Sequence, residues 1–165
     1  TQVKSTGANY VIVCHSERRI YMHEINIDFI NKINNAVENG LNVIYCIGET
    51  LNEKENGRTY EVLEKQISEV LNNVEIKNIM IAYEPVWAIG TGKVPEADEI
   101  KENIKFINDI IMEKYEEKLD ILYGGSVNDT NIGELCTIKG LNGFLVGGAS
   151  LDPNKVKGML IEMEK

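Results

Sequence analysis

The chain has 165 residues, which is enough for one domain with a sizeable hydrophobic core. Its 26 acidic and 17 basic residues give a net charge of −9, and this charge argues against nucleic acid or an anionic membrane as a partner. No apolar run approaches the roughly 18 residues of a membrane span, and no signal peptide is recognisable, so we expect a soluble, cytoplasmic protein.

Three cysteines, Cys14, Cys46 and Cys136, are too far apart in the sequence for a Cys-x-x-Cys metal or redox site. An odd number of cysteines suits a reducing compartment, and we interpret all three as core thiols. We therefore expect no metal. The first residue is Thr1 rather than methionine, so the sequence can begin inside a longer chain.

Five short apolar runs predict buried strands, and they cover residues 10–14, 42–47, 79–83, 120–123 and 143–146. Apolar residues at helical spacing follow the strands, most clearly at Ile100, Ile104 and Ile107, with charged residues between them. Residues 52–57 are predicted to form a polar loop. Strands that alternate with helices predict an α/β fold with a parallel sheet, and no linker divides residues 1–165 into two domains.

The third predicted strand ends on a carboxylate, Glu84, which is followed at once by Pro85. Proline keeps the preceding residue extended, so Glu84 lies at the carboxyl end of this strand. Residues 88–92 then contain two glycines between stiffer segments, which is the composition of a lid with two hinges. This pattern predicts a general base that a lid shields from water. A salt-bridged carboxylate beside an ordinary loop fits the same residues equally well.

Further polar groups and glycines fall where other strands end. His15 follows the first strand, and Gly-Gly pairs at 124–125 and 147–148 follow the fourth and fifth. In parallel βα units these strand ends share one edge of the sheet. Glycine pairs leave backbone N–H groups accessible, and the second pair is placed to begin a short helix, whose N-terminus binds phosphate. Each pair alone fits a tight turn, whereas together they favour a small phosphorylated substrate.

Residues 83–93, Tyr-Glu-Pro-Val-Trp-Ala-Ile-Gly-Thr-Gly-Lys, resemble the signature of the triosephosphate isomerase family. Residues 15–19, 46–49, 123–127 and 146–150 match the other motifs of this family in the same order. The resemblance covers essentially the whole chain. It implies a partial (β/α)8 barrel of five parallel βα units, which lacks the N-terminal strands of a family barrel of roughly 250 residues.

The resemblance also implies the chemistry. Glu84 would be the base that moves a proton between adjacent carbons of a triose phosphate through an enediolate, and His15 would polarise the carbonyl. The residues implied to hold the phosphate are Gly90, Ser126, Gly147 and Gly148, and those implied to support the site are Glu17, Glu49 and Tyr123. The implied reaction interconverts dihydroxyacetone phosphate and D-glyceraldehyde 3-phosphate in glycolysis and gluconeogenesis, needs no cofactor, and belongs to a homodimer in the full-length protein.

Several features depart from the family pattern. The asparagine and lysine that follow the first family strand have no counterpart here, and neither does the long loop through which the two subunits interlock. We therefore expect this chain alone to be inactive. Cys14 stands where the family usually has glycine, which would crowd His15. Pro95 occupies a hinge position that is more often alanine, and it lacks the N–H that Tyr123 would bond in a closed lid.

Two other interpretations are compatible with the sequence. The chain could be a truncated, non-catalytic remnant that keeps some phosphate contacts or serves as an interaction partner. It could also belong to another phosphate-binding barrel enzyme, such as a synthase or a lyase, although those enzymes lack the Glu-Pro-Val-Trp lid segment.

Overall fold

The structure is a computed structural model, and it describes residues 2–89 and 94–164. Its five strands are β1 (Tyr10–Val13), β2 (Asn42–Ile47), β3 (Ile79–Tyr83), β4 (Ile121–Tyr123) and β5 (Gly143–Phe144). Its eight α-helices within these ranges are α1 (Gln2–Ser5), α2 (Ser16–Met22), α3 (Asn26–Glu38), α4 (Leu51–Glu55), α5 (Thr59–Leu71), α6 (Ala97–Tyr115), α7 (Ile132–Leu135) and α8 (Pro153–Met163). Short 3₁₀ turns cover Ile76–Asn78, Val86–Ala88 and Gly148–Leu151.

The five strands form one parallel sheet in which their spatial order is the same as their order along the chain. Helices connect the strands, as parallel pairing requires. Tyr83, the last residue of β3, pairs with Ile47 at the end of β2 and with Tyr123 at the end of β4. The carboxyl ends of these strands therefore lie side by side. This α/β architecture confirms the predicted fold class and is consistent with a partial (β/α)8 barrel.

Helix α6 shows how the helices cover the sheet. Its apolar residues recur every three or four positions, and Ile100, Ile104 and Ile107 are completely buried. Burying one such side chain contributes about 1.5–3 kcal/mol, so this single face supplies several kcal/mol of stabilisation. None of the helices in the described ranges has the length and apolar composition needed to cross a bilayer.

Residues 52–57 are not the predicted loop, because helix α4 occupies most of them. The Thr50 hydroxyl accepts a hydrogen bond from the Glu53 N–H at 3.3 Å, and the Glu53 carboxylate accepts one from the Thr50 N–H at 2.8 Å. This reciprocal capping box satisfies two backbone donors and allows a short polar segment to begin a helix. The predicted loop was therefore wrong.

Strand boundaries differ in smaller ways from the prediction. β1 ends at Val13, because Cys14 has a left-handed backbone with φ of 69° that cannot continue a strand. β4 and β5 are shorter than the apolar runs that predicted them, and α1 was not predicted. Cys14 and Cys46 are buried, as expected, but Cys136 is exposed just after α7 and is not a core thiol.

The two outer strands have open edges. Within the part of the chain that the structure describes, β1 pairs with β2 and β5 pairs with β4, and neither has a second neighbour. Tyr10 and Ile12 of β1 are half exposed, which is unusual for apolar residues in a parallel sheet. The sheet is thus open at both ends within the described residues.

Candidate active site

Glu84 lies at the carboxyl end of β3 and is 3% exposed. Its N–H donates a hydrogen bond to the Ile47 carbonyl at 2.7 Å, so the ladder between β2 and β3 extends to this residue. Pro85 follows, and the Val86 N–H then donates to the Glu49 carbonyl at 3.0 Å. The chain on both sides of Glu84 is therefore fixed by main-chain hydrogen bonds, and its carboxylate is held at the shared edge of the sheet.

Two glycines make room for Glu84. A Cβ at Gly48 would lie 2.6 Å from the Glu84 carbonyl carbon, and a Cβ at Gly124 would lie 2.7 Å from its Cγ. Real Cβ atoms do not approach other heavy atoms so closely, hence these positions depend on glycine. Gly48 is itself clamped by Gln66, whose side chain accepts from its N–H at 2.8 Å and donates to its carbonyl at 3.0 Å.

His15 faces Glu84 from the start of helix α2. Its Nε2 lies 3.5 Å from Glu84 Oε1, and its Nδ1 accepts a hydrogen bond from the Glu17 N–H at 3.4 Å. A neutral imidazole that accepts at Nδ1 carries its hydrogen on Nε2. The Nε2–H therefore points into the space beside the carboxylate, where it can donate to a third group. The structure thus brings the predicted acid/base pair together.

Cys14 stands where the family usually has glycine, and its backbone adopts a conformation that favours glycine. Its φ of 69° is rarely adopted by residues other than glycine, asparagine or aspartate. Such a conformation costs on the order of 1–3 kcal/mol and persists only where the surrounding packing imposes it. The thiol is buried, and burial raises its pKa far above the usual range, so it remains a neutral thiol. Strain is therefore stored directly before His15.

Burial raises the pKa of the Glu84 carboxyl above its usual value. His15, the Cys46 thiol and the Ser16 N–H act in the opposite direction and favour the ionised form. Glu84 Oε2 is buried and accepts no hydrogen bond from any residue in the described ranges. A carboxylate with one oxygen left free and poorly solvated is a stronger base than one in water. This geometry suits proton abstraction.

The carboxyl edge of the sheet borders a cavity of about 680 Å³. His15 and Glu84 line it together with both predicted Gly-Gly segments. The N–H groups of Gly125, Ser126, Gly147 and Gly148 donate to no acceptor among residues 2–89 and 94–164. Unsatisfied backbone donors that converge on one cavity form a site for an anion.

The second glycine pair borders open space. A Cβ at Gly147 or Gly148 would have no neighbour within 4 Å, so packing within the described chain does not require glycine at either position. Gly148 begins the 3₁₀ turn Gly148–Leu151, which is the short helix that the sequence predicts after β5. The open space lies within the cavity that these residues line, and it leaves room for a bound group.

Ser126 and Tyr123 lie close to the predicted lid. The Ser126 hydroxyl donates to the Ala88 carbonyl at 2.6 Å, so this side chain holds the first part of the lid segment. The Tyr123 hydroxyl is buried without a hydrogen-bond partner among the described residues, and burial raises its pKa. Pro95, which is also buried, offers it no N–H donor. Gly90, the remaining predicted phosphate residue, lies outside the described residues.

Glu49 does not line the cavity but contacts Trp87, at the start of the predicted lid. It is completely buried and accepts hydrogen bonds from Trp87 Nε1 at 2.8 Å and from the Tyr83 hydroxyl at 3.2 Å. Burial raises the pKa of Glu49, while these two bonds lower it. Asn103 donates to the Tyr83 hydroxyl at 2.8 Å and completes the network. Glu17, the other predicted supporting residue, lines the cavity with a largely exposed side chain.

The ammonium group of Lys54 packs against the face of the Trp87 ring. Lys54 Nζ lies 3.7 Å from the centre of the Trp87 ring and 2.6 Å from a Glu99 carboxylate oxygen. Cation–π contacts of this kind contribute about 0.5–2 kcal/mol. Trp87, which precedes the predicted lid, is therefore held both through its ring nitrogen and through its face.

Sequence reasoning missed several of these supporting residues. Asn103 interrupts the apolar face of α6, three positions after Ile100, and a polar residue in such a stripe is a signal of a buried hydrogen bond. Gln66 occupies the corresponding place beside Ile67 in α5. The roles of Gly48 and Gly124 have no comparable signal, because many glycines follow strands for reasons of turn geometry alone.

These features define an α/β barrel-type protein in which a buried carboxylate and a partly exposed histidine line one cavity together with two glycine pairs. Comparison with known proteins gives the particular family. The model of the family "Triosephosphate isomerase" matches residues 1–163, and the chain belongs to this family. It is 48% identical over 158 residues to the triosephosphate isomerase of Thermodesulfovibrio yellowstonii, and 47% identical over 160 residues to that of Saccharomyces cerevisiae.

The matched region covers most of this chain but only part of its relatives. The alignments cover 93% and 94% of the chain, respectively, and 64% of each of these two relatives. The triosephosphate isomerase of Porphyromonas gingivalis is 44% identical over 160 residues with the same 64% coverage. The chain therefore spans somewhat less than two thirds of the length of these proteins.

Proposed function

We propose that the protein containing this chain is a triose-phosphate isomerase, which interconverts dihydroxyacetone phosphate and D-glyceraldehyde 3-phosphate in glycolysis and gluconeogenesis. The observation that carries this proposal is the buried Glu84 carboxylate, 3.5 Å from His15 Nε2, with one oxygen that accepts no hydrogen bond from the described residues. Both groups line the same cavity as four backbone N–H groups that have no acceptor within residues 2–89 and 94–164. The names of the relatives support the same reaction.

In the proposed reaction Glu84 removes a proton from the carbon next to the substrate carbonyl. The His15 Nε2–H donates a hydrogen bond to the carbonyl oxygen and stabilises the negative charge that develops there. The resulting enediolate takes the proton back from Glu84 on the neighbouring carbon. A second proton passes from the hydroxyl oxygen on the first carbon to the former carbonyl oxygen, carried by His15, and the carbonyl thereby moves along the chain. Both protons stay in the substrate and no external oxidant or reductant is needed, so the proposal includes no cofactor.

The substrate phosphate would bind at the second half of the cavity. The N–H groups of Gly147 and Gly148 would donate to its oxygens, helped by the N–H of Ser126. Gly90 is proposed to contribute from the lid. The Ser126 hydroxyl already donates to Ala88, so it would connect the lid to the phosphate site rather than bind phosphate alone. Glycine at 147 and 148 allows the close approach of a phosphate group to the backbone.

We further propose that the full-length protein is a cytoplasmic homodimer. An apolar patch on and after α2 supports a protein partner, since Tyr21, Met22 and Ile25 are each at least 60% exposed. Ile20 and Ile27 extend the same patch. Several exposed large apolar side chains in one short segment favour an interaction site. Sedimentation equilibrium of the full-length protein tests the dimer, and a monomer at micromolar concentration would contradict it.

We propose that residues 1–165 form one incomplete barrel domain with negligible turnover on their own. The open edges of β1 and β5 would leave one wall of the cavity unbuilt, and the family asparagine and lysine would be absent. Such edges also favour aggregation or loose packing. A coupled assay should detect no isomerisation by the isolated chain, while addition of the N-terminal segment in trans or by fusion should restore it. Turnover by the isolated chain near the full-length rate would support an independent enzyme instead.

The substitution Glu84→Asp in the full-length protein tests the central role. It keeps the charge but withdraws the carboxylate by about 1 Å, which can lower kcat by about 10²-fold. KM should change little, because the phosphate contacts do not involve this side chain. A structural ion pair with His15 would give the opposite result, namely a lower melting temperature with unchanged kcat. Steady-state kinetics and a melting curve on the same preparation separate the two.

A further inference from the structure

Lys155 is the only lysine or arginine among the described residues that line the 680 Å³ cavity. It lies in the first turn of helix α8, on the connection that begins with Gly147 and Gly148. Among the described residues, no carboxylate lies within 4.0 Å of its ammonium group and no acceptor forms a hydrogen bond with it. Its charge is therefore available to a molecule in the cavity.

Apart from Lys155, the charged groups that the described residues place at this cavity are acidic. Glu17 and Glu84 both line it, and the chain as a whole has a net charge of −9. The N-terminus of α8 is already capped by Asp152, whose carboxylate accepts the Asn154 N–H at 2.9 Å. That carboxylate offsets the positive end of the helix dipole. A phosphate dianion would therefore meet N–H groups beside two carboxylates, and Lys155 is the cation that the described residues add to the charge expected from the family lysine after the first strand.

We propose that Lys155 is a substrate-binding residue that pairs with the phosphate dianion of the substrate. The assignment rests on the proposed isomerase function and deepens it, because it adds a side-chain cation to the backbone donors of Gly147 and Gly148. Lysine binds phosphate as a point charge at the end of a flexible stem. The pairing does not involve the reacting carbons, so it raises affinity for phosphorylated substrates and leaves the chemical step unchanged.

The substitution Lys155→Met in the full-length protein tests this role, since methionine keeps an unbranched side chain and removes the charge. Lys157→Met is the matched control, because Lys157 lies on the same helix, is exposed and does not line the cavity. We expect Lys155→Met to raise KM for glyceraldehyde 3-phosphate about fivefold with unchanged kcat, the upper range for a solvated ion pair. Added salt should shrink the difference.

Unphosphorylated D-glyceraldehyde provides the second readout. Its kcat/KM should be the same in wild type and Lys155→Met, because this aldehyde has no group to pair with the ammonium. An unchanged KM for glyceraldehyde 3-phosphate, or an equal loss for both substrates, would overturn the assignment. Lys157→Met should match wild type with both substrates.

Binding of inorganic phosphate separates this inference from the proposed function. If the wild-type protein isomerises neither substrate, the proposed function fails, and titration with phosphate followed by ³¹P line broadening then decides the role of Lys155. Weaker binding to Lys155→Met than to wild type and Lys157→Met supports the residue as a phosphate ligand. Equal binding to all three proteins, or no binding to any, refutes it.

Discussion

Gly124→Ala should reduce catalysis by moving Glu84. A Cβ at position 124 would lie 2.7 Å from Glu84 Cγ and 3.1 Å from its Oε1. Ordinary contacts between carbon atoms begin near 3.4 Å, so the glutamate side chain must retreat by about 0.7 Å. It has little room for this movement, because its main chain packs directly against Gly48.

The size of the expected effect follows from that displacement. A misplacement of about 1 Å can lower the rate of an enzyme by about 10²-fold, so a shift of about 0.7 Å should lower kcat by roughly 10- to 10²-fold. We propose that the N–H groups of Gly147 and Gly148 bind the phosphate, and these residues follow β5, whereas the added methyl group follows β4. KM should therefore change by no more than about twofold.

The measurement is steady-state kinetics of the full-length protein, with a melting curve for each variant. Gly133→Ala is a suitable control, because its Cβ would meet mainly the far end of the Glu162 side chain at 3.3 Å. Position 133 lies in helix α7, where alanine is favoured over glycine. If a folded Gly124→Ala variant keeps the wild-type kcat, the position of the Glu84 side chain does not limit the reaction, and the reasoning is wrong.

Three further substitutions test other parts of the site. Burial raises the pKa of the Glu84 carboxyl, so the folded state binds the carboxyl proton more tightly than the unfolded chain does. The free energy of unfolding should therefore fall as pH rises through the range in which this carboxyl titrates. Urea unfolding from about pH 4 to about pH 8 should show this decrease in wild type and its loss in Glu84→Gln. Lys54→Met should loosen Trp87, the only tryptophan in the chain, and so change the fluorescence emission and lower kcat severalfold. Gly48→Ala should destabilise by about 3 kcal/mol or more, measured by thermal unfolding, since its methyl group meets backbone that cannot turn away.

The sheet was predictable because each strand is a continuous apolar run followed by glycine, histidine or glutamate. Fully buried parallel strands lose the alternation of polar and apolar residues, so the runs stand out from the amphipathic helices. Helix α4 was not predictable from apolar spacing, since it buries no residue and depends on the capping box between Thr50 and Glu53. The end of β1 at Val13 reflects the left-handed backbone of Cys14, which its residue type does not favour.

The sequence predicts which residues meet at the site, because the alternation of strands and helices determines which edge of the sheet they share. Parallel βα units place every strand end on one edge, and this rule alone brings His15, Glu84 and both Gly-Gly pairs to one cavity. The sequence does not predict which atoms of neighbouring strands come into direct contact. The contact of Gly124 with Glu84 depends on the register between β3 and β4, which no local pattern encodes. The same limit applies to the bond between Asn103 and Tyr83.

The strands lie in the sheet in the same order as in the sequence, and this order affects how the sheet can form during synthesis. Each strand pairs with the strand that precedes it in the sequence, so no pairing in the described sheet waits for a distant segment. A ribosome releases the strands in the order in which the sheet adds them, and domains can acquire structure during synthesis. The sheet could therefore grow one βα unit at a time from β1 towards β5, with Glu84 reaching its place beside His15 when β3 docks. Its last close neighbour, Gly124, would arrive only with β4, so the base would be positioned in two steps separated by the synthesis of α6.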